Sequence, residues 1–152
     1  MSLLKRIDED LIKALKAGDR FKATVLRGLK SDIKYKQIEK RAELTDDDII
    51  GVLSTAAKKR GDSIEQFRAG NRNDLVEKET TALGIIKDYL PEQMSEEALR
   101  ELIHNTIEET GADSPAKAGL VMKALMPKVK GKADGRLVSR LVSEILSGEK
   151  KQ

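Results

Sequence analysis

Lysines and arginines crowd one stretch near the C-terminus of the chain, around a glycine-flanked turn. The stretch runs from Met126 to Val142, and its basic side chains at the turn and beyond are Lys128, Lys130, Lys132, Arg136 and Arg140. Asp134 is predicted to be the N-cap of an amphipathic helix, whose first backbone amides point outward. Ammonium and guanidinium groups beside such amides suit the binding of phosphate. We therefore predict a basic lip for nucleic-acid binding, formed by those five side chains.

The same pattern has a second interpretation, in which the lip binds nothing. Asp134 then occupies the helical amides as their cap, and the lysines are merely solvated. Charge is nonetheless polarised here, because residues 123–140 hold six basic and one acidic side chain, whereas residues 95–113 hold six acidic and one basic. Chemistry alone leaves both interpretations open.

A second group of basic residues lies on the long helices predicted in the N-terminal half. Its members are Lys58, Lys59, Arg60, Arg68 and Arg72, with Arg27, Lys30 and Lys34. A basic face on a long helical hairpin could follow an RNA backbone. Acidic residues are interspersed, however, and a charged solvent face is the ordinary state of such helices.

The basic stretch also resembles the signature of a known family. Together with Tyr89-Leu90-Pro91-Glu92-Gln93, residues 126–142 resemble the YqeY family, and the resemblance covers nearly the whole chain. That family shares its C-terminal tail domain with the B subunit of glutamine-dependent aminoacyl-tRNA amidotransferases. The resemblance implies a tail associated with tRNA binding. By family association it also implies, as a third hypothesis, a carbon–nitrogen ligase that uses glutamine as its amide donor.

The residues themselves predict no catalytic set. The chain has no cysteine, and its one histidine, His104, has no second histidine or acid at an obvious metal-ligand spacing. Gly131-Lys132 is not a phosphate-binding P-loop, because Ala133 replaces the required serine or threonine. We therefore expect no catalytic residue, no metal, no cofactor and no enzymatic activity of the isolated chain.

Composition bears on the cellular compartment of the protein and on whether it associates with a membrane. Its 152 residues carry a net charge of +3, and aromatic residues make up only 3%. No apolar run approaches the roughly 18 residues of a membrane span, and the first five residues lack the apolar region of a secretory signal. A chain without cysteine suits a reducing compartment. We predict a cytoplasmic protein with no membrane partner.

Apolar residues recur at the helical period throughout, which predicts an all-α fold. The predicted helices run from Ser2 to Ala17, over about 20–42, from Thr45 to Ala69, over about 75–89 with Asp74 as cap, from Ser95 to Glu109, from Ser114 to Met126, and onward from Asp134. The second and third should pair as a long hairpin of roughly 35 Å. Pro91 predicts a boundary between an N-terminal helical domain, residues 1–92, and a GatB/YqeY-like three-helix tail domain, residues 95–148.

Each predicted helix carries an apolar stripe that should face a core. We expect these stripes to include Ile12, Leu15, Phe21, Tyr35, Leu120 and Met126.

The sequence thus predicts a non-catalytic helical module that binds tRNA or another structured RNA through the basic lip. Because aromatic residues are few, the module should recognise shape and phosphates, not stacked bases. The alternative is a protein–protein adaptor that contacts an amidotransferase or a translation-associated protein through its helix faces.

Overall fold

A computed structural model describes residues 2–148, which form seven α-helices and no β-strand. The helices are α1 (Leu3–Ala17), α2 (Arg20–Lys40), α3 (Asp46–Ala69), α4 (Asn73–Lys87), α5 (Glu96–Thr110), α6 (Ala118–Val129) and α7 (Gly135–Leu146). A single 3₁₀ turn, Pro115–Lys117, precedes α6. The predicted all-α class is confirmed.

The helices form two compact units, and the chain passes from one to the other between Leu90 and Pro91. The first unit packs α1 to α4 around a core whose fully buried side chains include Ile7, Leu26, Leu53 and Ile86. The second packs α5, α6 and α7 around its own core. Its buried members are Leu99, Ile103, Ala112, Val121, Leu125, Val129, Val138, Leu141 and Val142.

Side-chain caps set most of the helix starts. The Ser2 hydroxyl accepts a hydrogen bond from the Lys5 amide, and Thr45 and Asp48 form a reciprocal capping box. The predicted cap at Asp134 is confirmed, and Asp19 and Ser95 cap α2 and α5 in the same way. Gly18 and Gly111 end α1 and α5 with φ values of 74° and 69°, a left-handed conformation that glycine adopts without strain.

The predicted cap of α4 is wrong. α4 begins at Asn73, so Asp74 already lies inside the helix, and the residue before the helix is Arg72, which makes no side-chain capping bond. The Asp74 carboxylate instead accepts hydrogen bonds of 3.2 Å from the Arg72 guanidinium. The guanidinium of the residue before the helix thus pairs with the carboxylate that was expected to be the cap.

α6 also differs from the prediction. Its α-helical part begins at Ala118, after the 3₁₀ turn, and it continues through Pro127 to Val129 instead of ending at Met126. Pro127 has no amide to donate to the carbonyl of Lys123, and its ring crowds that carbonyl, so the helix continues through it at a cost. Val129 is fully buried in the second core, and this burial favours the extra turn.

The two long helices have the predicted lengths, 21 residues for α2 and 24 for α3. They contact each other, but the most extensive packing joins α3 to α4 and α1 to α2. The buried residues of α2 end at Ile33, two turns before the helix does. The C-terminal end of α2 therefore presents more of its surface to solvent than a fully paired hairpin would.

Six apolar side chains that were predicted to face a core are exposed instead. They are Ile12, Leu15, Phe21, Tyr35, Leu120 and Met126. At about 100° per residue, Ile12 lies roughly 140° around α1 from the buried Ile7, and Leu120 lies well away from the buried Leu125 on α6. The apolar stripes are wider than the area that neighbouring helices cover.

Candidate nucleic-acid interface

The five basic residues of the predicted lip lie close together along the chain, where α6 ends and α7 begins. Lys128 is in the last turn of α6, Lys130 is the C-cap residue after that helix, and Lys132 lies in the following turn. Arg136 and Arg140 are four residues apart on α7 and share one face of it. All five side chains are exposed.

Two hydrogen bonds from the segment after Pro91 hold the turn between α6 and α7. The Gln93 side-chain amide donates to the Gly131 carbonyl oxygen at 2.6 Å, and the Met94 backbone amide donates to the Lys132 carbonyl oxygen at 2.9 Å. Gly131 has a φ of 75°, which a larger residue would adopt only with strain. The backbone between the two lysines is therefore fixed. Sequence reasoning missed the role of Gln93, although it lies in the motif beside Pro91.

The N-terminus of α7 already carries an anionic group. The Asp134 carboxylate accepts a hydrogen bond of 2.8 Å from the Arg136 backbone amide, and its other oxygen lies 3.8 Å from the Arg136 guanidinium. One of the outward-pointing amides is thus occupied by the cap, as the second interpretation of the sequence holds. Any phosphate bound here would depend chiefly on side chains.

Three of the five basic groups have carboxylate partners. Besides Arg136, the Lys128 ammonium lies 3.3 Å from Glu109, and the Arg140 guanidinium lies 3.6 Å from Glu96. Exposed pairs of this kind contribute little to stability and are screened by salt. Within the described chain, Lys130 and Lys132 make no ion pair. The lip therefore combines two unpaired ammonium groups with three exchangeable ones.

A shallow depression of about 600 Å³ extends along the outer face of α7. Its lining consists of Arg136, Ser139, Arg140, Ser143, Glu144 and Ser147. Guanidinium and hydroxyl groups are the usual donors to phosphate oxygens. The serines were not among the predicted site residues, although their regular four-residue spacing was a signal that could have found them.

Part of the second basic group is engaged in holding the first unit together. The Arg60 guanidinium donates to both oxygens of Glu79 at 3.0 and 3.2 Å, which links α3 to α4. The Lys30 ammonium lies 2.7 Å from Asp8 on α1. These contacts favour a structural role for both cations.

The shifted pKa values of carboxylates belong to local pairs outside the lip. The Lys40 ammonium and the Thr45 amide lower the pKa of Asp48 to about 2. The Arg72 guanidinium lowers the pKa of Asp74, and the Lys117 ammonium lowers that of Asp113.

Across residues 2–148, no group of three or more histidine and carboxylate side chains is arranged to hold a metal ion. Nor does that part of the chain contain a helix long and apolar enough to span a membrane.

Fold and surface together define a small all-helical protein with a three-helix tail that carries a basic turn. The sequence matches the family model described as "Yqey-like protein" over residues 4–146. The chain therefore belongs to the YqeY family, as the motif residues predicted.

Fungal proteins named "Altered inheritance of mitochondria protein 41, mitochondrial" are among its relatives. The Lachancea thermotolerans protein is 36% identical over 113 residues, which cover 72% of this chain and 60% of that protein. The Clavispora lusitaniae protein is 33% identical over 80% of this chain and 73% of its own length. A Saccharomyces cerevisiae protein is 40% identical over 59% of this chain and 48% of its own length. The chain thus spans about half to three-quarters of the relatives it matches.

Proposed function

We propose that this protein is a non-catalytic module whose tail binds tRNA or another structured RNA through the phosphates. The observation that supports the proposal is a pair of lysines, Lys130 and Lys132, that make no ion pair within residues 2–148 and lie on a turn whose backbone Gln93 holds in place. Guanidinium and hydroxyl donors of α7 continue the same basic surface. The tail that the family shares with the amidotransferase B subunit makes tRNA the first RNA to test.

Binding on this surface would proceed by exchange of weak ion pairs. The Lys128 ammonium lies 3.3 Å from the Glu109 carboxylate, and the Arg140 guanidinium lies 3.6 Å from the Glu96 carboxylate, both on an exposed surface. RNA phosphates would replace these two carboxylates. Release of counterions from the RNA would supply much of the affinity. Recognition would depend on the shape of a folded RNA, because the lip contains no aromatic side chain for base stacking.

The salt dependence of tRNA affinity tests the proposal. Affinity should fall linearly with the logarithm of salt concentration between about 50 and 200 mM. Alanine at Lys130, Lys132 and Arg136 should reduce the magnitude of that slope by about 2–3, since each of the three lost phosphate contacts removes about 0.7–0.9 of a unit. A control with alanine at Lys5, Lys13 and Lys16 removes the same charge from exposed positions of α1, outside both basic groups, and should leave the slope unchanged. An unchanged slope in the lip variant would overturn the proposal.

A protein–protein adaptor is the second candidate, and two exposed apolar side chains of α6 favour it. Leu120 is 50% exposed and Met126 is 40% exposed, at positions about 120° apart around the helix. The partner would be an amidotransferase or a translation-associated protein. Its capture by the purified chain should survive nuclease treatment and should be lost with Leu120→Asp. Capture that disappears with nuclease would favour RNA binding instead.

The compartment follows from the same proposal. We infer that the protein works where tRNA is present, and composition predicts the cytoplasm. The relatives named mitochondrial make the mitochondrion the other compartment to examine. Imaging of a tagged full-length protein in its own cells would distinguish the two.

A further inference from the structure

The outer face of α2 exposes two large apolar side chains near its C-terminal end. Tyr35 is 74% exposed and Ile38 is 65% exposed. They are three residues apart and therefore lie on the same face of the helix. Single exposed apolar residues are ordinary, but this pair belongs to a longer pattern.

That pattern has the spacing of a coiled-coil seam. Its members alternate at intervals of four and three residues and are all exposed: Thr24, Gly28, Ser31, Tyr35 and Ile38. Such spacing brings one face of a helix against a partner helix over several turns. The buried residues Leu26, Leu29 and Ile33 lie on other faces of α2 and pack into the core of the first unit. The seam is thus available while the unit stays folded.

Packing within the chain does not explain why residue 28 is glycine, whereas packing of this seam against a second helix does. A methyl group added at Gly28 would meet no atom within 4 Å, so packing within the chain does not require glycine there. Glycine in a helix interior is destabilising relative to alanine, but it allows another backbone to come close. Thr24 and Ser31, on either side of it, are also small.

Charged residues flank the seam with opposite signs on its two sides. Arg27 and Lys34 lie on one side, at the positions that precede the seam residues Gly28 and Tyr35. Asp32 and Glu39 lie on the other side, each following a seam residue. Of these four, only Glu39 has an ion pair in the described chain, with Lys36 at 4.0 Å. The flanking charges are therefore available to a partner.

This charge pattern is complementary to itself in one orientation. When two copies of such a helix pack in parallel, a residue before the seam meets the residue five positions later on the other helix. Arg27 would then face Asp32 of the second copy, and Lys34 would face its Glu39. In an antiparallel pair, the two basic edges would meet each other and repel.

We propose that the outer face of α2 is a dimerisation surface, and that it packs in parallel against α2 of a second copy of this chain. The seam covers little more than two heptads, so the association is weak and depends on concentration. This inference does not depend on RNA binding, because no residue of the lip takes part in it.

Sedimentation equilibrium of the full chain tests the proposal. Between about 1 µM and 1 mM, the average mass should rise from the 16.8 kDa of one chain toward twice that value. Lys34→Glu should weaken dimerisation about tenfold, because two attractive pairs become two repulsive ones. Glu39→Lys should do the same, whereas the double variant should recover the original affinity.

Lys13→Glu, an equal charge change at an exposed position of α1, is the matched control and should leave dimerisation unchanged. Circular dichroism of each variant establishes that the helices are intact. A mass that stays at one chain throughout would overturn the proposal. Tighter dimerisation of Lys34→Glu would overturn it as well, since that result requires antiparallel helices.

Discussion

The side-chain amide of Gln93 donates a hydrogen bond of 2.6 Å to the carbonyl oxygen of Gly131, 38 residues further along the chain. The same amide nitrogen donates to the Pro91 carbonyl oxygen at 3.0 Å. One residue of the family motif thereby fixes the turn that carries Lys130 and Lys132. The motif and the basic stretch, separate in the sequence, form one structural element.

Gln93→Ala should loosen that turn without unfolding the tail. The loss of the hydrogen bonds should destabilise the tail by about 1 kcal/mol. Amide hydrogen exchange of residues 130–133 should become faster, which mass spectrometry can measure. Gln66→Ala, at an exposed position of α3, is the matched control. Exchange equal to that of the parent chain would show that Gln93 does not hold the turn.

Tyr89→Phe should destabilise the first unit by about 1–3 kcal/mol, because the phenol donates to a charged acceptor. The Tyr89 hydroxyl donates to the Asp10 carboxylate at 2.5 Å, and the Arg6 guanidinium lies 4.8 Å from the centre of the ring. Urea unfolding measures the change. The control is Tyr35→Phe on a largely exposed ring, which should change stability by less than about 0.5 kcal/mol. Equal effects would contradict this role of Tyr89.

Tyr89 should also make the stability of the first unit depend on pH in the alkaline range. Burial, followed by the hydrogen bond to Asp10, raises the pKa of Tyr89 above its ordinary value. The folded state therefore holds this proton more tightly than the unfolded state, whose tyrosine pKa is about 10. The resulting stability is fully present below that pH and is lost as pH rises above it. Unfolding free energies measured between neutral and strongly alkaline pH should fall less in Tyr89→Phe than in the parent chain.

Two leucines of α6 should respond very differently to the same substitution. Leu125 is fully buried in the tail core, whereas Leu120 is 50% exposed. Leu125→Ala should cost about 2–5 kcal/mol, because it removes buried methyl groups and leaves a cavity. Leu120→Ala should change stability by less than about 0.5 kcal/mol. Thermal or urea unfolding of both variants provides the comparison. A large loss of stability in Leu120→Ala would contradict the orientation of α6, in which Leu125 faces the core and Leu120 faces solvent.

Acid should weaken the start of α3. The Lys40 ammonium and the Thr45 amide lower the pKa of Asp48 to about 2, so the unfolded chain binds this proton more readily than the folded chain. The stability that this carboxylate contributes is present above about pH 4 and is lost as pH falls toward 2. Asp48→Asn should flatten that part of the pH profile of unfolding. Asp47→Asn, on an exposed neighbour without a side-chain hydrogen bond in the described chain, should not.

Local chemistry was enough to predict where most helices begin and end. Ser2, Thr45 and Asp134 cap helices because a short side-chain oxygen reaches an amide two or three residues away, which depends on nothing distant. The prediction at Asp74 was wrong because α4 begins two residues earlier than predicted, at Asn73, and the Asp74 carboxylate pairs with the Arg72 guanidinium. The family likewise followed from residues read in order along the chain.

What the sequence by itself determined is therefore the all-α class, most helix ends, the family and the five basic residues of the lip. Only the tertiary structure decided which charges are paired, because Glu109 and Glu96 reach Lys128 and Arg140 across the packed helices of the tail. It also decided which apolar residues stay exposed. The helical period of the sequence shows that Tyr35 and Leu120 each lie on an apolar stripe. Whether they are buried depends on where neighbouring helices end, which the local sequence does not determine.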